Sequence, residues 1–423
     1  MKTVGIITLG CRVNQYESVA LAELLQKKGF AIGKDGEKCD VYLVNTCSVT
    51  AESQRQCRQT VRRLAATAPT AVIGCASQAA PEEFSGMENV FYVGGCSDKT
   101  AAANAVETLC KAVHVEPMEH ALYEQMRVDG TSDLFSTCRA YLKIQDGCSR
   151  HCTYCIISTL RGPTRSREKE DILAEAKRLV GAGYRELVLT GIETSAFSSC
   201  KLEELISSLG ELEGLGLARV RLGSLSSGTL RKPFLETVAN VHNFMPHIHL
   251  SLQSGSDRIL ELMKRPDRRA QMEERVGLLR EYLPRVQISA DLITGFPTET
   301  EEDYLATESL VREFRLLHAH AFPYSERPGT PAASMAGSVP KEVRKERCAR
   351  LNRVSDEVRD EILASFVGKN VRVLVEKCVG GCAVGHTEEF LECTVHGENF
   401  SVGQIIDVRV SSRDGKHLIG NAI

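Results

Sequence analysis

The 423-residue sequence contains no tryptophan, which by itself decides nothing, and only 5% of its residues are aromatic. More informative is the lack of any apolar run of membrane length, which takes roughly 20 residues. The opening "MKTVGIITLG" holds an apolar stretch too short for a signal peptide or a span, and it reads as a β-strand. These absences imply a soluble, cytoplasmic protein without membrane contact. Nor is there an excess of charge of either sign: 52 Lys and Arg face 55 Asp and Glu, a formal net charge of −3. A generally basic coat for nucleic acid is excluded, so any RNA contact must be local. Internal repeats and low-complexity tracts are missing as well.

What is abundant is cysteine, with sixteen residues. In a short secreted chain that count would signal a disulfide scaffold. In a long chain without an export signal, clustered thiols more often bind metal or do redox chemistry. At roughly 150 residues per domain, the length suggests two or three domains.

Residues 1–115 alternate short apolar runs, "VGIIT" (4–8), "VYLVN" (41–45), "AVIG" (71–74) and "FYVG" (91–94), with helical patterns such as "YESVALAELLQKKGF". That alternation predicts an α/β domain with an open parallel sheet and covering helices. Cys11, Cys47 and Cys75 each follow one of these strands directly. The carboxyl ends of parallel strands gather at one edge, where ligands bind, so these three distant thiols can meet. Cys96 follows the fourth run and shares the position. Taken singly, each would more often be a buried thiol. Periodicity then fades over 115–135, which suits a linker.

A second alternating region, 134–362, offers the strands "RAYLKI", "ELVLTG", "ARVRLGS", "HIHLSL", "QISADLITG" and "HAHAF". Six βα units are too few for an eight-stranded barrel and enough for a partial (β/α)6 TIM-like one. Along "HIHLSLQSG", His249, Ser251 and Gln253 fall on one face, with Leu250 and Leu252 on the other. A polar inner face suits a barrel that holds a ligand. Residues 341–360 read as a charged helix or connector. Residues 366–423 switch to short β-type runs, which predict a small antiparallel β-barrel.

The densest chemistry lies in "CSRHCTYC" (148–155), where Cys148, Cys152 and Cys155 fall in a C-x3-C-x2-C pattern just after the first predicted barrel strand. A structural zinc site usually takes four ligands from two arms, and this loop offers one arm of three. A cubane iron–sulfur cluster on three thiolates keeps one iron open, able to chelate a substrate or cofactor.

With Tyr154 before the last cysteine and six strands around it, this loop resembles the radical S-adenosylmethionine superfamily. "TLGCRVNQYES" (8–18), "VNTCSVT" (44–50), "GCASQ" (74–78), "RGPTRSR" (161–167), "HLSLQSGSD" (249–257) and "DLITGFPTET" (291–300) resemble, in order, the motifs of its methylthiotransferases. The resemblance implies two 4Fe–4S clusters, one on Cys148, Cys152 and Cys155 and an auxiliary one on Cys11, Cys47 and Cys75, with Cys96 excluded. It implies S-adenosylmethionine as cofactor, cleaved to a 5′-deoxyadenosyl radical, with Ile293 against the adenine and contacts from Tyr154, Ser224 and Gln253. Barrel packing is the alternative for Ser224, Gln253 and Ile293. The terminal barrel looks like the family's RNA-binding TRAM domain.

The "CRVNQYES" and "IQDGCSRHCTYCII" segments are most similar to the branch acting on N6-threonylcarbamoyladenosine at position 37 of tRNA, beside the anticodon. The implied reaction inserts a methylthio group at C2 of that base. The implied partners are the tRNA anticodon stem–loop and a flavodoxin- or ferredoxin-like electron donor, and the chain is expected to act as a monomer. The alternatives are the same chemistry on isopentenyl-adenosine tRNA or a ribosomal-protein aspartate, or a non-catalytic metal-stabilised RNA-binding protein.

Two segments depart from the family pattern: Ser158–Thr159, and "GIETSAF" (191–197) after the second strand. The terminal barrel carries six basic residues (Lys369, Arg372, Lys377, Arg409, Arg413 and Lys416) against seven acidic ones, a poor footprint for phosphate. Residues 139–169 carry Arg139, Lys143, Arg150, Arg161, Arg165, Arg167 and Lys169 against Asp146 and Glu168. That run is read as an RNA contact beside the loop, with a solvated face as the alternative. Cys39, Cys57, Cys110, Cys138, Cys200, Cys348, Cys378, Cys382 and Cys393 are read as loop thiols.

Overall fold

The computed structural model describes residues 1–34, 36–132, 134 and 138–423. Asp133, at the end of the expected linker, lies outside the described residues. Six strands form the amino-terminal sheet: β1 (Thr3–Thr8), β2 (Ala31–Ile32), β3 (Val41–Thr46), β4 (Thr70–Gly74), β5 (Val90–Gly94) and β6 (Ala112–His114). Their order is β2-β1-β3-β4-β5-β6 and every pair is parallel. β3, β4 and β5 are buried along their whole length, as a sheet covered on both faces requires, which is why they read as unbroken apolar runs. At two and three residues, β2 and β6 are too short to carry a period.

The first helix, α1 (Arg12–Lys27), buries Val13, Tyr16, Ala20, Leu21 and Leu25 on one stripe. Tyr16 reaches past the sheet and donates its hydroxyl to the carbonyl of Met126, 2.8 Å away. The 115–135 segment is therefore no free linker. Met118, Met126 and Val128 are buried, and the Glu23 carboxylate accepts the backbone N–H groups of Asp129, Gly130, Thr131 and Ser132 at 2.6–3.3 Å.

The middle of the chain contributes β7 (Arg139–Lys143), a short antiparallel pair of β8 (Gln145–Asp146) and β9 (Arg165–Ser166), then β10 (Glu186–Thr190) and β11 (Arg219–Leu222). It continues with β12 (Ser224–Leu225), β13 (His247–Gln253), β14 (Gln287–Thr294) and β15 (Leu316–Pro323). Two parallel sheets, β11-β10-β7 and β12-β13-β14-β15, make up the partial barrel. The run "ARVRLGS" breaks at Gly223, so β11 belongs to one sheet and β12 to the other, with a lone Val220–Phe244 bridge between them. Covering helices start where the sequence says they should. Thr300, for instance, caps Glu301–Glu313 in a reciprocal box with Asp303. The charged segment is one helix, Lys341–Ala364, buried against β15 through Leu351, Val354 and Val358, with Ser355 Oγ accepting the Ala319 N–H.

Strands β16 (Asn370–Val379), β17 (Cys382–His386), β18 (Glu392–His396), β19 (Ile405–Arg413) and β20 (Leu418–Ala422) close a five-stranded barrel in the order β16-β17-β18-β20-β19. All its pairs are antiparallel except β18–β20. It docks under the amino ends of the partial-barrel strands. Arg219 and Arg221 donate to the carbonyls of Arg372, His386, Thr387 and Glu388. Phe390 stacks on His247 and His386 beneath the Arg139 and Arg221 guanidinium groups.

Candidate active site

Cys11, Cys47 and Cys75 stand just past the carboxyl ends of β1, β3 and β4, three neighbouring strands of the parallel sheet. Two glycines make this approach possible. Gly10 (φ +109°) would put a Cβ 2.7 Å from Cys47 Cβ, and Gly74 (φ +103°) would put one 2.6 Å from the Thr46 carbonyl. Asn14, buried, pins the loops together by donating to the carbonyls of Leu9 (2.8 Å) and Thr46 (3.0 Å). All three thiols are free. Burial, then the charge of nearby Cys75, pushes the Cys47 thiol up to about 12. Cys75 itself is lowered to about 6, first by a hydrogen bond from Cys96 and then, against burial, by the Arg161 guanidinium. The thiolate is the metal-binding form. Cys96 lies 3.8 Å from Cys75 and is buried.

The second triad sits on the loop after β7 and β8. The Cys148 N–H is held by the Gly162 carbonyl (3.0 Å) and the Cys155 N–H by the Cys152 carbonyl (3.0 Å). His151 occupies a left-handed conformation (φ +48°) and points to solvent, so it is not part of the triad. Thr153 fixes the loop against the barrel through the Met263 and Leu262 carbonyls. Arg265 approaches Cys152 Sγ at 3.8 Å. Burial, with Cys152 and Cys148 adding to it, pushes Cys155 up to about 12.

Two bridges join the loop of the second triad to the loops of the first. The helix Ile157–Arg161 leaves the second loop and packs Ile156, Ile157 and Leu160 against Cys75. From its end Arg161, wholly buried, reaches Cys75 Sγ (Nε, 3.4 Å), Asn14 (Nη2, 2.8 Å), Glu17 (Nη1, 2.9 Å) and Asp146 (Nη1, 3.1 Å). Lys99 and Lys143 also face Glu17, and their charges together with that of Arg161 hold its carboxyl far below the usual range despite burial. The second bridge is the segment after β15. Arg327 donates to Ser48 and Gln54 beside Cys47, while the Ala332 N–H donates to the Thr153 carbonyl inside the second loop.

This network corrects the reading of residues 139–169. Lys143, Arg161 and Arg167 are buried in ion pairs with Glu17, Asp146 and Glu175, and Arg139 pairs with Glu186 and Glu376. Arg150 is held by Glu193. The buried members of the run are thus neither an RNA patch nor a solvated face: Lys143, Arg161 and Arg167 fasten the interior near the mouth and Arg139 fastens the base, while Arg150, Arg165 and Lys169 stay partly exposed. Nor are all the other cysteines on loops. Cys57 lies in α2 (Ala51–Ala65), hydrogen-bonded to the Cys47 backbone, Cys348 in the helix Lys341–Ala364, and Cys393 in β18.

The expected cofactor contacts gather nearby. Tyr154 and Ile293 share one apolar cluster with Ile259, Met263, Phe296 and Tyr324. Ser224 faces His249 across β12–β13, and its buried hydroxyl has no partner among the described residues. Gln253 closes β13 in a left-handed conformation (φ +72°). In "GIETSAF", Thr194 presents a second buried hydroxyl without a partner, as does Tyr324. Soft thiol triads beside unpartnered buried hydroxyls fit iron–sulfur clusters and a polar cofactor. Among the described residues, no three His, Cys, Asp or Glu side chains close on a single-ion site. Asn14 and Glu17 went unassigned in the sequence, and Arg161 was read only as part of the RNA contact, although all three fall within quoted motifs.

Residues 142–311 match the radical SAM superfamily, and residues 3–95 match a family described as Uncharacterized protein family UPF0004. The chain is 32% identical over 428 residues to the threonylcarbamoyladenosine tRNA methylthiotransferase MtaB of Bacillus subtilis, covering 97% of this chain and 94% of the relative. It is 30% identical over 442 residues to the tRNA-2-methylthio-N(6)-dimethylallyladenosine synthase of Staphylococcus epidermidis, covering 100% and 85%. The solved structure of the radical S-adenosylmethionine methyltransferase TsrM from Kitasatospora setae, with cobalamin and a 4Fe–4S cluster bound, superposes with a TM-score of 0.57. It is 15% identical and covers 91% of this chain and 81% of that one, a likeness of fold. Fold and matches together define a radical S-adenosylmethionine enzyme. Within that class, the chain belongs to the threonylcarbamoyladenosine tRNA methylthiotransferase family.

Proposed function

We propose that the chain inserts a methylthio group at C2 of N6-threonylcarbamoyladenosine in the anticodon stem–loop of tRNA. What supports this reading is Arg161, which ends the helix leaving the 148–155 loop and lies with its Nε 3.4 Å from Cys75 Sγ. The hydrogen at C2 is too weakly acidic for any side chain to abstract at neutral pH, so the step calls for a radical. When bound, two 4Fe–4S clusters and S-adenosylmethionine supply that radical and the sulfur. In this reading Cys148, Cys152 and Cys155 hold one cluster and Cys11, Cys47 and Cys75 the other.

The chain's own residues then have three tasks. The Glu17–Arg161–Asp146 network holds the two triads at a fixed separation, which is what a short-lived radical demands. Tyr154, Ile293 and Phe296 line an apolar wall that excludes water, while Ser224 and Thr194 offer free hydroxyls to the cofactor's polar edge. Residues 1–115, 134–362 and 366–423 are proposed as auxiliary-cluster domain, radical core and TRAM-like barrel, working as a monomer. Electrons come from a flavodoxin- or ferredoxin-like donor.

The test is anaerobic reconstitution followed by iron and sulfide counting, where about eight irons per chain are expected. Cys152→Ala should abolish formation of 5′-deoxyadenosine, whereas Cys47→Ala should keep it and lose the methylthio product. Full product from either variant refutes the assignment. A second reading, dimethylallyladenosine as substrate, is favoured by the full-length likeness to the staphylococcal synthase. Mass spectrometry of tRNA nucleosides from a deletion strain separates the two.

A further inference from the structure

Among the described residues, the mouth contains one cation with nothing to bind. Arg12, the first residue of α1 and the neighbour of Cys11, is half-buried and makes no hydrogen bond or ion pair among the described residues. The arginines around it are all engaged: Arg150 by Glu193, Arg161 by Glu17, Arg265 by the Ser251 carbonyl and Arg327 by Ser48. Leaving one guanidinium half-desolvated and unmatched is costly unless a ligand completes it.

Its surroundings say what kind of ligand. Burial comes first among the causes that hold His247 and His320 below the usual imidazole range, and the Arg12 charge contributes to both. Asn14 and Glu17, further along the same helix, bond Arg161 at the end of the helix that leaves the 148–155 loop, so the start of α1 stands at the open end of the partial barrel's inner face. On that face His249 Nε2 meets Asp291 Oδ2 at 3.1 Å, and the His320 ring lies 5.2 Å from His249 and 4.1 Å from His318. Asp291 is the one acid in the group, and His249 occupies it. One step toward the mouth, the register pairs Ile293 with Phe322, which is 43% exposed although it follows His318 and His320 on the same face. An unmatched cation, an imidazole at His320 able to donate N–H, and an exposed aromatic ring on the rim together suit a flat base carrying an acidic side chain.

We propose that Arg12, assisted by His320, seats the carboxylate of the substrate's threonyl group while Phe322 stacks against the base. This rests on the function proposed above and makes the unmatched guanidinium the element that selects an acidic N6 substituent over an apolar one. A carboxylate is also present in the methionyl group of the cofactor. Arg12, however, stands beside Cys11 of the amino-terminal sheet and not on the 148–155 loop, which argues for the substrate.

The experiment compares equilibrium binding of three labelled anticodon stem–loops to the cluster-loaded enzyme: one with the free threonyl acid, one with its methyl ester, and one with dimethylallyladenosine. The wild type should prefer the acid to the ester by about 10- to 100-fold. Arg12→Met should lose that preference, Arg12→Lys should keep most of it, and His320→Leu should weaken it without touching the neighbourhood of Cys11. Iron content reports whether each variant is intact. Equal binding of acid and ester by the wild type, or an undiminished preference in Arg12→Met with full iron content, overturns the proposal. So does a KM for S-adenosylmethionine that rises in Arg12→Met while tRNA binding does not change, since the guanidinium would then serve the cofactor. A wild-type enzyme that prefers the acid yet never methylthiolates it would refute the proposed reaction and leave the seat standing.

Discussion

Replacing Arg161 with methionine keeps the length of the side chain and removes its charge and its donors. A guanidinium carries five N–H donors, and here they serve Cys75, Asn14, both oxygens of Glu17, and Asp146. Removing one partner from a buried ion pair ordinarily costs about 3–5 kcal/mol because the other charge is stranded. Glu17 and Asp146 are not wholly stranded, since Lys143 still faces both and Lys99 faces Glu17. The lower end applies, about 3 kcal/mol. The loss falls on the junction between the amino-terminal sheet and the partial barrel, so the first thermal transition should move and not the last.

At about 2–4 °C per kcal/mol for a unit of this size, that transition should come about 6–12 °C earlier in a scan of the metal-free chain. Arg161→Lys keeps the charge but loses the fork, and should fall about halfway. A cycle with Glu17→Gln isolates the pair, with a coupling of about 2 kcal/mol expected. If Arg161→Met melts with the wild type, or the cycle is additive, the network is not what joins the two triads and the argument for a shared rigid mouth fails.

Two further outcomes follow from the same accounting. Gly74→Ala must place a Cβ 2.6 Å from Asn45 Oδ1 and from the Thr46 carbonyl at a backbone conformation open essentially to glycine alone, at a cost of about 2–4 kcal/mol. Iron content should fall by about half as Cys75 is displaced, whereas Gly29→Ala, which meets nothing within 4 Å, should leave it unchanged. Glu186 at the barrel base is lowered from 4.5 to about 2 because Arg221, Arg139 and Arg219 outweigh its burial. A depressed carboxyl contributes stability above its unfolded pKa and loses it as pH falls through the folded value, so about 3 kcal/mol should vanish between pH 4.5 and 2. Limited proteolysis across that window should release the terminal barrel, and Glu186→Gln should release it at neutral pH. A flat profile would show that Glu186 does not anchor the barrel.

The parallel strands and the thiols behind them were legible because each strand announces itself: β3, β4 and β5 are apolar end to end, and a cysteine after such a run has one place to go. The six-motif order carried the cluster assignments further than spacing could. What stayed hidden was whatever needed a distant partner. Arg161 and Glu17 lie 144 residues apart, and Arg139 and Glu376 237 apart, so a string of cations at 139–169 looked like surface when several of its acids lay far along the chain. The segment at 115–135 looked like a tether because its backbone at 129–132 is satisfied by one side chain, Glu23, and not by a repeat. β17 escaped because "CAVGH" has too few β-formers, and its strand exists through pairing with β16 and β18.

The two ends of the partial barrel are built on one plan. At the mouth Glu17 is ringed by Lys99, Lys143 and Arg161, and at the base Glu186 by Arg139, Arg219 and Arg221. Buried carboxylates so outnumbered stay ionised, yet such clusters are poor sources of stability, because desolvation offsets most of the attraction. What they offer over an apolar seam is a single register, since sliding the surfaces strands a charge, whereas apolar side chains repack. A fixed register is what the proposed chemistry needs at the mouth, where two thiol triads must keep their separation. Replacing Glu17, Lys99, Lys143, Asp146 and Arg161 together with apolar residues of similar volume should therefore leave the melting temperature near that of the wild type. The same variant should release 5′-deoxyadenosine without a matching yield of methylthio product, because the radical would form at a mouth that no longer holds still. A variant with tight coupling between the two products would show that position is set elsewhere.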